Sequence, residues 1–330
     1  MLSRPLSRRS ALRQGAAALG ALALAAVTAG CGASGAAGSS GDVVLRVGDQ
    51  TGMTRSRLEA AGLLKNLPYK IEWFRFAAAA DLHEALRANA VDIGGAADSP
   101  TVAAIAAGSK IKVVAAWSNS GAGSYILVPK DSPIRTFADL AGKRISPSTR
   151  GSIAHYLVLG ALRRAGLSAS DAELNFLTPA EAYGAFSTGK LDAWGTWGVY
   201  AARARGQLGA RVLTTGRGLT SGLYVMSATE RALADAGKRE AIVDFNNRVH
   251  QGFAWAERKP DDFIAWYADF TKQSTEIAAQ VQPEEAAYRR VAVDDRLADQ
   301  LQQTFDTWVE AGVLQGRLDL GSHVHDLEGS

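Results

Sequence analysis

Cysteine is almost missing from this sequence. One cysteine in 330 residues, at position 31, can form neither an internal disulfide nor a cysteine-rich metal site. The five histidines make no spaced cluster, so we expect no metal and no cofactor. The motifs Gly-x-Ser-x-Gly, Gly-x-x-x-x-Gly-Lys-Ser/Thr and His-Glu-x-x-His are also missing. Their absence argues against a nucleophile elbow, a phosphate-binding loop and a zinc-protease site.

Runs of basic residues are missing too. The formal net charge is +3, but four of the 36 Lys and Arg residues are Arg4, Arg8, Arg9 and Arg13, and no acidic residue precedes Asp42. Without those four, 32 basic residues face 33 acidic ones, a balance of −1. Nucleic-acid-binding domains concentrate positive charge on one face, so we exclude nucleic acid as a partner.

The first 30 residues have the features of an export signal peptide. A basic start precedes an apolar run over residues 15–29, which is too short and too rich in Ala and Gly to predict a membrane-spanning helix. Residues 7–12, Ser-Arg-Arg-Ser-Ala-Leu, resemble a twin-arginine export signal. Ala11 stands where that signal more often has Phe, so the general secretory route is the alternative.

Cys31 ends the apolar run. The sequence Thr28-Ala29-Gly30-Cys31 resembles the lipobox of bacterial lipoproteins, in which the cysteine thiol receives a diacylglyceryl group, although Thr28 replaces the usual Leu. The alternative is an ordinary signal peptide with a chance cysteine, which the position of Cys31 disfavours. Residues 31–41 are rich in Gly, Ala and Ser, as flexible linkers are. We therefore predict a lipidated tether that holds the following domain at a membrane.

Strand and helix patterns alternate from residue 42 to residue 194, which predicts parallel α/β layers. Helix starts are marked by a capping box at Asp81, by Ser99 before Pro100, by Ser152, and by a second capping box at Thr178. Predicted strands cover residues 43–47, 71–76, 91–94, 112–116, 126–128, 144–145, 174–177 and 191–194. The last third is helical over residues 240–258, 261–270 and 295–311, and we expect its aromatic residues to pack in the core.

One segment of the sequence is echoed about a hundred residues later. Residues 85–95 align with residues 185–195, so that Asn89 matches Gly189 and Asp92 matches Asp192. Asn and Gly both tolerate the left-handed conformation that ends many helices. The match is short, but together with the strand–helix alternation it favours two similar lobes.

Candidate ligand contacts lie in the loops that follow the strands, because open α/β sheets bind ligands beyond the carboxyl ends of their strands. These loops cover residues 49–52, 97–99, 118–121, 147–152 and 195–197, and they are rich in hydroxyls, amides and glycines. Several lead into helix starts, which suit an anion. The candidates are Gln50, Thr51, Ser99, Ser120, Gly151, Ser152, His155, Trp194 and Trp197.

Five of these candidates also have a purely structural interpretation. Ser99 and Ser152 could simply cap their helices, and His155 is more often a packed residue than a catalytic one. Trp194 or Trp197 could cover the organic part of a ligand, while the other packs in the core. Trp197 is the better ligand candidate of the two because it lies further beyond its strand.

Several segments resemble the aliphatic-sulfonate-binding proteins of ABC importers, whose relatives bind taurine, nitrate and thiamine precursors. They include Val91-Asp92-Ile93-Gly94, Asp98-Ser99-Pro100, Asp139-Leu140-Ala141-Gly142-Lys143, Gly151-Ser152-Ile153-Ala154-His155-Tyr156 and Leu191-Asp192-Ala193-Trp194. The resemblance covers most of residues 42–229 and is weaker beyond them. Family ligand positions map onto Gln50, Thr51, Ser99, Ser152 and residues 194–197.

The resemblance implies an α/β protein with the type II periplasmic-binding-protein fold. Lobe one would be residues 42–124 plus 225–330, including the helical C-terminal section, and lobe two would be residues 125–224. Two hinge strands, near residues 125–128 and 223–226, would join the lobes around a cleft. The implied function is capture of a small anion, foremost a sulfonate, without catalysis. The implied partners are an ABC permease with its ATPase subunit and, through the lipid anchor, the membrane; we expect a monomer.

The sequence departs from the family at Gly198. Relatives often have Trp-Asp-Pro where this chain has Trp197-Gly198-Val199. If the Asp holds an amine, its loss disfavours taurine and leaves simple sulfonates, sulfate esters or another anion. Nitrate, taurine, a thiamine precursor or a flavin-like heterocycle are alternative ligands. A ligand sensor and a desulfinase-like enzyme are alternatives from other functional classes. Such an enzyme would use a cysteine, and the one cysteine here is Cys31, next to the signal peptide.

Overall fold

The computed structural model describes residues 43–327. The predicted signal peptide (1–30), Cys31 and the tether (31–41) lie outside the described residues. The strands are β1 (Val44–Gln50), β2 (Lys70–Phe76), β3 (Ile93–Ala97), β4 (Ile111–Ser118), β5 (Ser124–Val128), β6 (Arg144–Ser146), β7 (Glu173–Leu174), β8 (Ala193–Trp197), β9 (Arg211–Thr215), β10 (Leu223–Thr229) and β11 (Arg289–Val291).

The helices fall between and after these strands. They are α1 (Met53–Ala60), α2 (Ala79–Arg87), α3 (Asp98–Ala106), α4 (Ile153–Arg164), α5 (Pro179–Ser187), α6 (Gly198–Leu208), α7 (Glu230–Ala234), α8 (Ala236–Arg258), α9 (Pro260–Thr271), α10 (Thr275–Glu285) and α11 (Asp295–Glu310). Within residues 43–327, none of them is long and apolar enough to span a membrane.

Two sheets organise the chain. The six-stranded sheet has the order β11-β4-β10-β3-β1-β2, and the five-stranded sheet has the order β7-β6-β8-β5-β9. We call the first sheet with α1–α3 and α7–α11 lobe one, and the second with α4–α6 lobe two. Most of the predicted parallel pairs are present, but β10 and β5 depart from the parallel arrangement because each runs antiparallel to both of its neighbours. Each is the first strand that the chain forms after it crosses from the other sheet.

The chain crosses between the sheets twice, through residues 119–123 and 216–222. The predicted lobe boundaries lie within β5 and β10, close to these two crossover segments. The segments contact each other directly: the amide of Asn119 donates to the carbonyl of Gly222 at 2.9 Å. A Cβ atom at Gly222 would lie 2.3 Å from the backbone nitrogen of Gly121. Only glycine permits so close an approach.

The two lobes repeat one local motif, as the sequence echo predicts. In lobe one, Asp92 accepts hydrogen bonds from the backbone amide, Nε and Nη2 of Arg46. In lobe two, Asp192 accepts the same three bonds from Arg144. Asn89 and Gly189 have positive φ angles of 54° and 70°. The prediction of two similar lobes is therefore confirmed at this motif.

Helix starts were predicted with mixed success. The cap at Ser152 and the capping box at Thr178 are confirmed. The cap at Ser99 is wrong because α3 begins two residues earlier than predicted, at Asp98 after the cap residue Ala97, and the capping box at Asp81 is wrong because α2 begins at Ala79. The aromatic residues of the C-terminal helices pack in the core as expected; Trp308 and Tyr267, for example, are fully buried.

Candidate functional site

A cleft lies between the two lobes and is floored by the crossover segments. Its cavity has a volume of about 170 Å³. Lobe one contributes residues of β1, α1, α3, β10, α8 and α10, and lobe two contributes the first residues of α4 and α6. The carboxyl ends of β1, β3 and β8 lead into this cleft, which agrees with the general position of ligand sites in open α/β sheets.

Lobe two presents two helix starts to the cleft. Ser152 and Ile153 line it at the start of α4, and Trp197, Gly198 and Val199 line it at the start of α6. Neither helix has an acidic residue in its first turn. The first amides of a helix have no partner within the helix and carry a partial positive charge. These two helix starts can therefore receive an anion, and we call them the anion end of the cleft.

Lobe one differs because its helix starts already hold carboxylates. Both oxygens of the buried Asp49 accept backbone amides of α1, from Thr54 at 3.1 Å and from Arg55 at 2.9 Å. Asp98 is the first residue of α3, and its buried carboxylate accepts a hydrogen bond from the hydroxyl of Thr304 at 2.6 Å. Burial raises the pKa of both carboxyls, and hydrogen bonds partly offset this. These starts are less suited to an external anion than those of lobe two.

The crossover segments add small polar groups. Asn119, Gly121, Gly123, Ser124 and Thr220 line the cleft. The side-chain oxygen of Asn119 accepts the amide of Gly121 at 3.0 Å, so its NH₂ group can donate to a ligand. Ser124 donates to the carbonyl of Gly121 at 3.3 Å, and Thr220 donates to that of Gly216 at 3.2 Å. Each hydroxyl oxygen can still accept a bond.

A buried ion pair of lobe one also lines the cleft. Arg57 of α1 and Glu285 of α10 both line the cavity and are joined by a contact of 2.5 Å between Nη2 and Oε2. The guanidinium carbon of Arg57 lies 4.8 Å from the ring centroid of Phe253. Arg57 is the one basic residue among the described lining residues. Because Glu285 compensates its charge, the ion pair is close to neutral as a unit.

Four of the nine predicted contact residues line the cleft: Gln50, Thr51, Ser152 and Trp197. Gln50 donates from Nε2 to the carbonyl of Gly95 at 2.7 Å, which leaves its Oε1 free to accept. Thr51 has a positive φ of 61°, and its hydroxyl donates to the carbonyl of Gln50 at 2.6 Å. Ser152 caps α4 by accepting the amide of His155 at 3.2 Å.

The other five lie outside the lining of this cleft. Trp194 is fully buried in a core cluster with Phe186, because it precedes the end of β8. Ser99 is buried within α3, and its hydroxyl has no partner among the described residues. Ser120 is exposed and donates to the carbonyl of Asn119 at 2.6 Å. The placement of Trp194 matches the interpretation that one of the two tryptophans packs in the core, whereas Ser99 neither caps its helix nor lines the cleft.

Gly151 and His155 line a separate cavity behind the start of α4. The amide of Gly151 donates to Nδ1 of His155 at 3.2 Å, so the ring holds the loop that precedes the helix. Burial, with a smaller effect of the Arg150 charge, lowers the pKa of His155 to about 4. The ring is therefore neutral at pH 7, and it positions the Ser152 loop from behind.

Comparison with known proteins finds relatives that are named as substrate-binding proteins. Residues 58–247 match the family model described as ABC transporter, phosphonate, periplasmic substrate-binding protein. A protein of Escherichia coli (strain K12) named for binding aliphatic sulfonates is 37% identical over 196 residues, 58% of this chain. That match spans 61% of the relative, less than two thirds of its length. A protein of Bacillus subtilis (strain 168) with the same name is 26% identical over 91% of both chains.

A solved structure extends the likeness to the whole fold. The alkanesulfonate-binding protein SsuA from Xanthomonas axonopodis pv. citri, bound to MOPS, has a TM-score of 0.78 and 29% identity. The likeness covers 87% of this chain and 99% of that one. The fold is therefore that of the periplasmic binding proteins, with two α/β lobes around a cleft. Because the family model matches more than half of its residues, this chain belongs to the periplasmic substrate-binding proteins of ABC transporters that the phosphonate model describes.

Proposed function

We propose that this protein is the extracytoplasmic substrate-binding component of an ABC importer and that it captures an organic sulfonate, foremost an aliphatic one. The observation that carries the proposal is the anion end of the cleft, where α4 and α6 begin without acidic residues. The names of the relatives from Escherichia coli and Bacillus subtilis support the sulfonate. No bond is made or broken in the cleft.

Charge matching favours a sulfonate over a phosphonate, the second candidate because of the family model. Each helix start carries about half a positive elementary charge, so α4 and α6 together balance about one negative charge. A sulfonate carries one negative charge at every physiological pH, whereas a phosphonate approaches two as pH rises. The lining residues offer no uncompensated cation for the second charge, since Arg57 is paired with Glu285.

Capture would proceed by closure of the two lobes about the crossover segments. The hydroxyl of Tyr200 in lobe two donates to the carbonyl of Ala77 in lobe one at 2.8 Å. On another side, Arg163 of α4 lies 3.3 Å from Glu310 of α11. A ligand that touches both lobes stabilises the arrangement in which these contacts form, and so shifts the population toward the closed state.

The finer parts of the proposal concern location and partners. The protein would be lipidated at Cys31, held at the extracytoplasmic face of the cell membrane by the tether of residues 31–41, and would act as a monomer with a permease and its ATPase subunit. Export by the twin-arginine route is part of this proposal. Incorporation of labelled palmitate into the wild-type protein, and its loss in Cys31→Ala, tests the anchor. Equal labelling of both would refute it.

Isothermal calorimetry and thermal unfolding of the purified chain test the ligand. The panel is methanesulfonate, taurine, sulfate, nitrate, methylphosphonate, a thiamine precursor and a flavin. A ligand at a hundred times its Kd stabilises the native state by about 2.7 kcal/mol, which raises Tm by roughly 5 °C for a chain of this size. We expect this shift with a sulfonate. A shift with methylphosphonate alone would replace the sulfonate by a phosphonate.

A pair of charge variants tests the site. Val199→Glu places a carboxylate at the cleft-lining start of α6, and the control Gln207→Glu adds the same charge near the exposed end of the same helix. We expect Val199→Glu to weaken sulfonate binding at least about fivefold, since a like charge within about 4–6 Å costs about 1 kcal/mol or more. We expect the control to change binding less than about twofold. Equal effects would place the anion elsewhere.

A further inference from the structure

The cleft contains an aromatic wall that is built by lobe one, whereas the two open helix starts belong to lobe two. Tyr224 of β10, Phe253 of α8 and Tyr288, which precedes β11, all line the cavity. Phe253 and Tyr288 stack with their centroids 4.1 Å apart, and Tyr224 meets both rings edge-on at 5.8 and 6.2 Å. We call these three rings, with the neighbouring Leu58 and Val249, the aromatic chamber.

The backbone is shaped to hold these rings in place. A Cβ atom at Gly95 of β3 would lie 2.0 Å from the hydroxyl of Tyr224, and one at Gly252 of α8 would lie 2.9 Å from Leu58. Behind the rings, the fully buried Trp117 contacts Phe253 at 5.5 Å between centroids. The rings are therefore held by close packing, as a preorganised binding surface requires.

The two lobes line the cleft with different charge. The ion pair of Arg57 and Glu285 lies beside the chamber and is nearly neutral as a unit. It therefore attracts an anionic head group less than the two helix starts of lobe two do. The head and the organic part of a ligand therefore have separate places, with the organic part against the rings of lobe one.

The space is larger than a short sulfonate needs. A cavity of about 170 Å³ has room for on the order of ten waters by the usual allowance per water. Methanesulfonate would leave most of it to water held against apolar walls. A ring attached to the sulfonate would displace that water and extend the cluster of three aromatic rings, which is favourable beyond the burial of apolar area.

We propose that the preferred ligand is an aryl sulfonate, whose ring packs in the aromatic chamber while its sulfonate lies at the starts of α4 and α6. The proposal rests on the sulfonate function proposed above and narrows its substrate class. Phe253 and Tyr288 are then the residues that determine specificity for the ring.

Calorimetry on the full chain with methanesulfonate, hexanesulfonate and benzenesulfonate tests the class. We expect benzenesulfonate to bind about 10- to 100-fold more tightly than methanesulfonate, from burial of its ring carbons and the aromatic contacts, and more tightly than hexanesulfonate. Equal affinities for benzenesulfonate and hexanesulfonate would overturn the assignment of a ring. Equal affinities for all three would overturn the chamber as a binding surface while leaving the sulfonate function standing. Failure of every sulfonate to bind would overturn both proposals.

Substitutions of single rings test whether the aromatic chamber causes the preference for benzenesulfonate. Phe253→Leu and Tyr288→Leu each should lower the ratio of benzenesulfonate to methanesulfonate affinity about fivefold or more. The control Phe270→Leu removes a ring that stacks on Trp266 outside the cleft lining, and should leave both affinities unchanged. Tyr288 is only partly buried, so its variant provides the result if Phe253→Leu does not fold. An unchanged ratio in Tyr288→Leu would overturn the proposal.

Discussion

The two crossover segments touch so closely at Gly222 that a single methyl group should separate them. A Cβ atom there would lie 2.3 Å from the nitrogen of Gly121 and 2.7 and 2.8 Å from two backbone atoms of Ser120. Gly222 also has a φ of 72°, which disfavours every residue with a Cβ atom. Gly222→Ala therefore combines a conformational cost with a steric one.

Gly218 separates the two costs. It lies in the same crossover segment with a φ of 67°, and a Cβ atom there would meet nothing within 4 Å. Gly218→Ala should cost about 1 kcal/mol, the left-handed penalty less the entropy that alanine removes from the unfolded chain. Gly222→Ala should cost about 2–4 kcal/mol, because overpacking against backbone atoms adds about 1–3 kcal/mol.

Urea unfolding of the wild type and of both variants measures these free energies, with the m-value as a check that the unfolding transition is the same. We expect the Gly222 variant to lose at least about 1 kcal/mol more than the Gly218 variant. Equal losses would mean that the crossover segments do not pack against each other as described, and would remove the physical basis of the hinge.

Three further predictions concern pH and the cleft. Acidification from pH 7 to pH 5 should lower the free energy of unfolding, because burial lowers the pKa of His83 and of His155 to about 4 while the unfolded chain binds these protons near pH 6.5. Each histidine lowers the free energy of unfolding at pH 5 by on the order of 2 kcal/mol. His155→Gln should therefore remove about half of the difference in free energy of unfolding between pH 7 and pH 5, measured by urea unfolding at both pH values. The same difference in the variant as in the wild type would refute this prediction. Burial, with a smaller effect of the neighbouring Glu285, raises the pKa of Glu284 to about 8, and its carboxyl accepts a hydrogen bond from the hydroxyl of Tyr125. The protonated carboxyl therefore contributes fully to the free energy of unfolding below about pH 4.5, and this contribution is lost as pH rises through 8. Glu284→Gln should therefore stabilise the protein by on the order of 4 kcal/mol at pH 9 and make no gain at pH 4, whereas equal shifts at both values would contradict the titration. Gly198 has a φ of 49° and open space around its Cβ position, so Gly198→Asp should fold at a cost of about 1 kcal/mol. This variant should weaken the binding of methanesulfonate about tenfold and that of taurine less, while the uncharged control Gly198→Asn should change both little. Equal losses of affinity for the two ligands, measured by calorimetry, would refute the role of the missing Asp.

Local signals predicted the elements best. The cap at Ser152 and the capping box at Thr178 were found because each joins residues only three positions apart. The helix α10 was missed, since Pro283 lies inside it and proline ordinarily ends a helix. The directions of β5 and β10 were also beyond local reasoning, because they depend on where the chain crosses between the sheets.

The site was predicted only in part for a similar reason. Gln50 and Trp197 end strands, Thr51 follows one and Ser152 caps a helix, and these positions along the chain brought them to the cleft. Arg57 and Glu285 are 228 residues apart and belong to no motif, so only the folded chain joins them. The aromatic chamber likewise combines residues of a strand, a helix and a loop that periodicity assigns to the core.

The uneven distribution of carboxylates between the lobes also implies an order of events. At the cleft, the starts of α1 and α3 in lobe one are occupied by Asp49 and Asp98, whereas the starts of α4 and α6 in lobe two carry no acidic residue. An arriving anion is therefore attracted to lobe two first, and lobe one closes over a ligand that is already bound. Arrival is governed by charge and responds to ionic strength. Under the proposed function, the lifetime of the complex would be governed by the apolar contacts of lobe one, so the two lobes would control the rates of capture and release separately.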